Sequence, residues 1–328
     1  MMSFTNLRNS FTFQRLFMII DKALGRWVRP CLYGLSPLLL FKYRYKMLKG
    51  IWLNLNNPKT YDEKVIWLNL YWRHPLKTQC ADKYGLRSYV ASQGYDHLLP
   101  ELLGLYNRSS EIDFASLPNK FALKCTHGCK FNVICEDKRQ LNIRHTRRML
   151  DKWLKQRISR IWGEVHYDAI HPRIICEAFL DDISGGLPID YKVHCFNGKP
   201  RFTMVCVGRD LSGYNAKYAF YDLDWKTIPF YCDKNVFENK NILKPEGYEE
   251  MIKAAEELAR PFPFVRIDFY IIKGAPVIGE MTFTPDGCID EDLSDIGQRI
   301  LGELIALPSC TDVTEMVPNG REKQKNDT

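Results

Sequence analysis

The stretch that most constrains the fold is Phe264-Val-Arg-Ile-Asp-Phe-Tyr-Ile-Ile, then Lys273-Gly274, then Pro276-Val-Ile-Gly-Glu-Met-Thr-Phe-Thr-Pro-Asp-Gly287. Two apolar, β-branched runs flank a glycine turn, the pattern of a hairpin. Side chains alternate along strands, so Arg266 and Asp268 share one face of the first strand, and Glu280 and Thr282 one face of the second. Charged side chains are seldom buried unpaired, yet these interrupt otherwise apolar strands. Such a pair of acids beside an arginine serves either of two purposes. It is a set of mutually satisfied charges in a buried hairpin, or it holds Mg²⁺ against a polyphosphate, since Mg²⁺ takes few carboxylates and fills its octahedron with water and phosphate oxygens.

Three further segments add cations. Phe121-Ala-Leu-Lys-Cys125 reads as a strand that runs through Thr126-His-Gly-Cys-Lys-Phe-Asn132 into a return strand, Val133-Ile-Cys135. A loop with Gly128 and Lys130 can fold over an anion, its N–H groups facing phosphate, but an ordinary turn has the same composition. Arg173 to Leu180 is the next expected strand, ending in an acidic, glycine-rich link from Asp181 to Gly186. Asp190-Tyr-Lys-Val-His-Cys-Phe196 places Asp190, Lys192 and His194 on one strand face, and Asn197-Gly198 is the strongest hairpin turn in the chain, with Arg201 to Val207 returning. Lys192 there points to an anion partner or a structural ion pair. His194 reads as structural.

The first hundred residues read as mostly helical. Thr60 with Glu63 forms a capping box ahead of Val65, Leu68, Tyr71 and Trp72 at helical spacing. Ala81 to Val90 is a second expected helix, with Asp82, Lys83 and Arg87 as surface charges, and Leu98 to Tyr106 is an apolar run broken by Pro100 and Gly104. Later, Arg144 to Trp162 has the pattern of a basic amphipathic helix, and Pro245 to Arg260 that of a helix stopped by Pro261 and Pro263. The stretch 209–245 reads as a loop-rich insertion whose Tyr214, Tyr218, Tyr221, Trp225, Phe230 and Tyr231 either stack a sugar or pack the loop. Residues 321–328 read as a disordered tail.

With 328 residues and 45% apolar content, the chain can form two domains or one large α/β domain with a helical extension. Its net charge of +7 suits a nucleotide, an acidic glycan or an anionic membrane face. No nucleic-acid-binding motif is present. The 11 cysteines show no disulfide framework and no secretory signal precedes them, so reduced thiols in the cytoplasm are expected. Cys125 and Cys129 lack a second ligand pair for zinc. Residues 11–41 are apolar but interrupted by charges and prolines, too broken to span a bilayer. Phe13, Phe17, Ile20 and Leu24 among basic residues fit a helix lying on an anionic leaflet, or one packed on the protein itself.

The order of these signals is more specific than any one of them. Asn57-Pro-Lys-Thr-Tyr-Asp-Glu-Lys64, Ala81-Asp-Lys-Tyr84, Leu117-Pro-Asn-Lys-Phe-Ala-Leu-Lys-Cys-Thr-His-Gly128, Asp190-Tyr-Lys-Val-His-Cys-Phe-Asn-Gly198, Phe264-Val-Arg-Ile-Asp268 and Gly279-Glu-Met-Thr-Phe-Thr-Pro285 together resemble the TupA-like branch of the ATP-grasp enzymes, over about residues 40–305. The resemblance implies an α/β (α+β) ATP-grasp fold, two α+β subdomains gripping ATP. Its expected divisions are an amphipathic extension over 1–55, a helical part over 56–116, a lysine-strand, loop and hinge subdomain over 117–182, a metal-binding subdomain over 183–310 and a polar tail over 311–328. It implies that Lys124 and Lys192 bind ATP phosphates, that the loop His127, Gly128 and Lys130 closes over them, and that Glu177, Ala178 and Leu180 meet adenine. Asp268 and Glu280 would hold Mg²⁺, with Arg266 on the transferred phosphoryl group. Thr282 stands where many ATP-grasp enzymes carry asparagine, and its hydroxyl would meet the metal directly or through water.

The activity so implied is Mg-ATP-dependent carboxylate–amine ligation through an acyl phosphate, in surface or capsular polysaccharide biosynthesis. The expected partners are ATP, a carboxylate and an amine, with a glycan-linked acceptor and a peripheral contact at the inner face of the cytoplasmic membrane. Two alternatives remain at this stage: a glycosyltransferase-like or glycan-binding protein of the same pathway, and a degenerate ATP-grasp scaffold at the membrane surface.

Overall fold

The computed structural model describes residues 25–181, 188–208, 217–228 and 242–309. Residues 25–35 are helical (α1). Four more helices follow: α2 (Pro37–Lys49), α3 (Tyr61–Tyr71), α4 (Pro75–Ala81) and α5 (Gly85–Ser92). The capping box is present in full, with Thr60 accepting from Glu63 N–H and the Glu63 side chain reaching back to the Thr60 N–H. The single helix expected over Ala81 to Val90 is two helices. The chain breaks at Asp82–Tyr84 because Asp82 Oδ1 accepts from Tyr84 N–H at 2.9 Å. The Lys83 N–H, meanwhile, donates to Thr126 O at 3.3 Å. Gly85 permits the tight return, since a Cβ there would lie 2.6 Å from Gln79 O.

Two antiparallel sheets carry the rest. The first contains β1 (Leu102–Tyr106), β2 (Phe121–Cys125), β3 (Asn132–Cys135) and β4 (Ile174–Ala178) in the order β1-β4-β2-β3. The apolar run before Tyr106 is thus partly a strand, paired with β4 from Leu102 and bulged before Gly104. The basic segment after Ile143 is not one helix to Trp162: α6 spans Ile143–Leu154 and a short α7 Ser159–Trp162. Leu150 of α6 packs with Phe121, Leu123, Ile174 and Cys176 in this sheet's own core.

The second sheet contains β5 (Asp190–Phe196), β6 (Lys199–Val207), β7 (Lys217–Asp222), β8 (Phe264–Ile272) and β9 (Ala275–Thr282) in the order β7-β6-β5-β8-β9. Both expected turns are present, with left-handed φ at Asn197 (50°) and Gly198 (75°) and at Lys273 (52°) and Gly274 (79°). Helix α8 (Tyr248–Ala259) lays Met251, Ala255 and Leu258 on the sheet, and Phe41, Val65, Trp72 and Tyr89 of the N-terminal helices join the same core. Helix α9 (Asp295–Leu304) packs on α3. Mixed helix and sheet is therefore the class, as the sequence implies.

Part of the aromatic insertion is strand β7. Tyr221 and Trp225 stack on each other at 4.4 Å, and the Trp225 indole donates to Ile242 O at 2.8 Å. The aromatic residues described there pack the fold. Tyr214, Phe230 and Tyr231 lie outside the described residues, as do Phe13, Phe17, Ile20 and Leu24, the glycine-rich link over 182–186 and the C-terminal tail.

Candidate active site

The face of the second sheet opposite α8 carries the charges. Register pairs Lys192 with Asp268, His194 with Arg266, Asp268 with Glu280 and Arg266 with Thr282, so all six side chains share one side. Lys192 Nζ lies 2.6 Å from Asp190 Oδ2 and 2.5 Å from Asp268 Oδ2. Arg266 grips Asp268 with two bonds, Nε to Oδ1 at 2.7 Å and a terminal nitrogen to Oδ2 at 2.8 Å. Burial raises the carboxyl's proton affinity, but Arg266 and Lys192 outweigh it and hold Asp268 ionised well below the usual carboxylate range.

Glu280 is held loosely. It is about one-third exposed, and its nearest cations, Arg266 at 3.9 Å and Lys83 at 3.8 Å, are beyond hydrogen-bonding distance. Thr282 Oγ1 donates to Glu280 Oε1 at 3.5 Å. A bulge follows Asp268 in the pairing, leaving Gly279 as the extra residue beside Glu280. Asp268, Glu280 and Thr282 form a hard oxygen set on one face, suited in donor chemistry to Mg²⁺ shared with phosphate. Among the described residues, no three His, Cys, Asp or Glu side chains gather to hold a metal by themselves.

The first sheet faces this hairpin. Lys124 Nζ lies 2.7 Å from Glu177 Oε2. Register sets Glu177 opposite Ala122, making Lys124 its diagonal neighbour. Burial disfavours the Lys124 ammonium, yet Glu177, Tyr270 and Glu280 together raise its proton affinity. Tyr270 and Glu280 belong to β8 and β9, so the lysine lies within electrostatic reach of the second sheet.

The loop after β2 is closed by Cys125 N–H donating to Phe131 O at 2.9 Å, with Lys130 exposed and in the left-handed region at φ 61°. His127 is turned inward, against α6. Its ring is buried and its Nε2 lies 3.1 Å from Trp153 O, while Phe131 stacks on Trp153. The histidine anchors the loop to α6, and burial lowers its proton affinity. At the hinge, Ala178 N–H is already paired with Glu101 O at 2.9 Å. Glu177 is shared between Lys124 and Arg87, the latter at 3.3 Å. Leu180 lies half-buried just beyond the end of β4. His194 is buried against Phe202, stacked at 4.3 Å, with neither ring nitrogen hydrogen-bonded.

Several site residues escaped the sequence reading. Asp82 and Lys83 are not surface charges: both are buried, and Lys83 Nζ donates to Gly128 O at 2.6 Å while facing Glu280. Asp82 pairs with Arg173 at 3.0 Å, and Arg87 is largely covered where it meets Glu177. The α4–α5 turn thus ties the glycine loop and β4 to the hairpin face. Ala81-Asp-Lys-Tyr84 belonged to the family pattern, which was the available signal. Glu164 is buried and accepts from Thr284 Oγ1 at 2.6 Å. Burial pushes its carboxyl up to about 7, outweighing Thr284 and Arg44, with Glu280 and Asp286 adding to the rise. Nothing in its sequence neighbourhood marked it.

No curated protein matches the sequence. Among solved structures, D-alanine–D-alanine ligase from Bacillus anthracis, complexed with ATP, superposes with a TM-score of 0.44 at 13% identity, over 69% of this chain and 64% of its own. L-amino acid ligase from Bacillus licheniformis gives 0.45 at 14% identity, over 69% and 49% respectively. The ATP-grasp ligase PsnB, complexed with a phosphomimetic variant of its minimal precursor, Mg and ADP, gives 0.40 at 13% identity, over 87% and 72%. This chain therefore spans less than two-thirds of the length of the first of these ligases and about half of the second. The model of the TupA-like ATPgrasp family matches residues 63–306, a span that contains every charged side chain of the cleft, and the chain belongs to that family.

Proposed function

We propose that the protein is a Mg-ATP-dependent carboxylate–amine ligase. The observation that carries this reading is the Lys192–Asp268–Arg266 cluster with the loosely held Glu280 beside it, set within electrostatic reach of Lys124 on the other sheet. Lysines, an arginine and spare carboxylate oxygens are what phosphoryl transfer needs, because its catalysis is mainly positioning and charge neutralisation.

In this reading Lys124 and Lys192 bind the phosphates, and the Gly128–Lys130 loop covers them under the restraint of Lys83. Leu180 and Ala178 border the adenine, with Glu177 orienting Lys124. Asp268, Glu280 and Thr282 are the residues that would hold Mg²⁺, which would draw charge from the phosphate oxygens. A carboxylate oxygen of the substrate attacks the γ-phosphorus and ADP leaves. The acyl phosphate oxygens sit by Arg266. The amine then attacks the acyl carbon, phosphate departs with the bonding pair, and the amine's proton is lost to solvent or a base. No side-chain nucleophile is required.

The resemblance supplies the setting we propose for this chemistry: biosynthesis of a surface or capsular polysaccharide, with a glycan-linked substrate, in the cytoplasm. The glycan-binding alternative draws no support from Tyr221 and Trp225, which are stacked on each other.

Calorimetry of Mg-ATP with the wild type and Lys124→Ala tests the reading. Binding by the wild type that is lost in the variant, together with ADP release on adding carboxylate and amine mixtures, is the expected result. Absence of ATP binding in the wild type would overturn it.

A further inference from the structure

Residues 25–60 carry seven lysines and arginines and no acid. The whole chain has 46 against 39, so outside this stretch 39 basic residues face 39 acidic ones. The entire positive excess therefore sits on α1, α2 and the segment that follows them.

The same region displays several exposed apolar side chains, two of them tryptophans. Trp27 is 68% exposed, Leu35 77% and Trp52 71%. On α1, Trp27, Cys31 and Leu35 recur at spacings of four, the exposed stripe of a helix. Ser36, with extended backbone, ends α1, and α2 has its own exposed row of Leu39 and Lys42, followed at helical spacing by Lys46. Beyond α2, Lys46 Nζ covers the Trp52 ring at 5.1 Å. Arg26 sits over Trp27 in the same manner, at 5.7 Å. Leu40, Phe41, Arg44 and Tyr45 occupy the opposite, buried face of α2. Lys49 and Arg44 turn inward, to Asp62 and to Trp162 O and Gly287 O, and take no part in the exposed row.

Exposed tryptophan and leucine side chains edged by lysine and arginine, with no acid in the segment, are complementary to an apolar layer capped by negative charge. We infer that the α1–α2 face docks on an anionic phospholipid surface, with the tryptophans at headgroup depth and the basic side chains on the phosphates. Among the described residues no helix is long and apolar enough to cross a membrane, so the contact lies along the surface. The docking is independent of turnover: none of these side chains belongs to the cleft.

Flotation of the full chain with phosphatidylglycerol–phosphatidylcholine vesicles, beside pure phosphatidylcholine vesicles, tests the inference. The expected result is co-flotation with the anionic vesicles alone, reversed by high salt. Lys42→Gln and Arg26→Gln should each weaken binding about fivefold, the equivalent of about 1 kcal/mol per surface charge. Trp27→Ala with Trp52→Ala should abolish binding, with unchanged circular dichroism and unchanged Mg-ATP binding. Failure to float with anionic vesicles would overturn the inference, as would flotation that all these variants leave intact. Flotation only after removal of residues 1–24 would assign the face to that segment instead. A dimer in light scattering that Trp27→Ala and Trp52→Ala convert to monomer, without lipid binding, would assign it to a second copy. Loss of ATP binding in the wild type would leave the flotation result unaffected, which keeps the two readings separable.

Discussion

The ammonium of Lys192 lies 2.5 Å from Oδ2 of Asp268, directly across the β5–β8 pairing. Asp268 is thereby clamped between Lys192 and Arg266, and its removal takes from the buried guanidinium of Arg266 its hydrogen-bonded ion partner, leaving Glu280 at 3.9 Å. Asp268→Asn is expected to abolish ADP formation and to cost about 3–5 kcal/mol in stability at neutral pH, the range for breaking a buried pair. Because the folded carboxyl is held below its ordinary value of 3.8, the stability it contributes is present above that pH and is lost as pH falls further. Urea titrations should therefore show the gap between wild type and variant closing in strong acid. Mg²⁺-dependent turnover in Asp268→Asn would exclude Asp268 from the site.

Lys83 donates to Gly128 O at 2.6 Å from a turn between two helices far upstream of the loop. Lys83→Met keeps the buried stem but leaves that carbonyl unpaired, and a hydrogen bond from a charged group is worth about 1.5–3 kcal/mol. We expect roughly a ten- to hundredfold rise in the Kd for Mg-ATP, as that energy is withdrawn from the ordered loop. Faster amide exchange over residues 126–131 should accompany it. Unchanged exchange there, with weakened ATP binding, would mean that Lys83 acts on the nucleotide and not through the loop.

How much of this was legible in the sequence depended on the range of the contact. That Arg266 shares a face with Asp268, and Glu280 with Thr282, follows from alternation, a local property, but it is the bulge at Gly279, which the sequence reading did not include, that sets Glu280 opposite Asp268 and Thr282 opposite Arg266. The Thr60–Glu63 capping box was equally local. The roles of Asp82 and Lys83 were not, because their partners Arg173 and Gly128 lie far along the chain, and i-to-i+4 spacing on an assumed helix suggested solvent-facing charges. His127 shows the same range effect: it stands in the glycine loop by sequence, while Trp153, far along the chain, and Phe131 are what its ring packs against. Glu164 had no periodic context, and only packing brings it to Thr284.

Gly302 sits in α9 where a Cβ would lie 2.2 Å from Lys59 O and 2.9 Å from Thr60 C. Those are backbone atoms at the capped start of α3, so they cannot yield without opening the cap. Gly302→Ala should cost at least about 2–3 kcal/mol by overpacking, seen as a lower denaturant midpoint at unchanged slope. Gly34 is the control: it is helical, and a Cβ added there would meet nothing within 4 Å. Gly34→Ala should be stabilising by up to about 1 kcal/mol from helix propensity.

Glu164 makes the pH dependence of stability testable. Its carboxyl is pushed from the ordinary 4.5 up to about 7, chiefly by burial. A carboxyl with a raised folded value favours the folded state while protonated. Its contribution is fully present below about pH 4.5 and is lost as pH rises through about 7, a change of roughly 3 kcal/mol. Glu164→Gln keeps an oxygen that can accept from Thr284 and removes the ionisation. The variant should match the wild type near pH 4.5 and exceed it by about 2–3 kcal/mol above pH 7, read as a growing difference in Tm. Lys77, also brought to about 7 by burial, bends the wild-type curve in the opposite sense, but it is common to both proteins and cancels to first order in the difference. A difference that stays constant from pH 4 to 8 would mean that the Glu164 carboxyl titrates alike in the folded and unfolded chain, with Arg44 and Thr284 offsetting its burial.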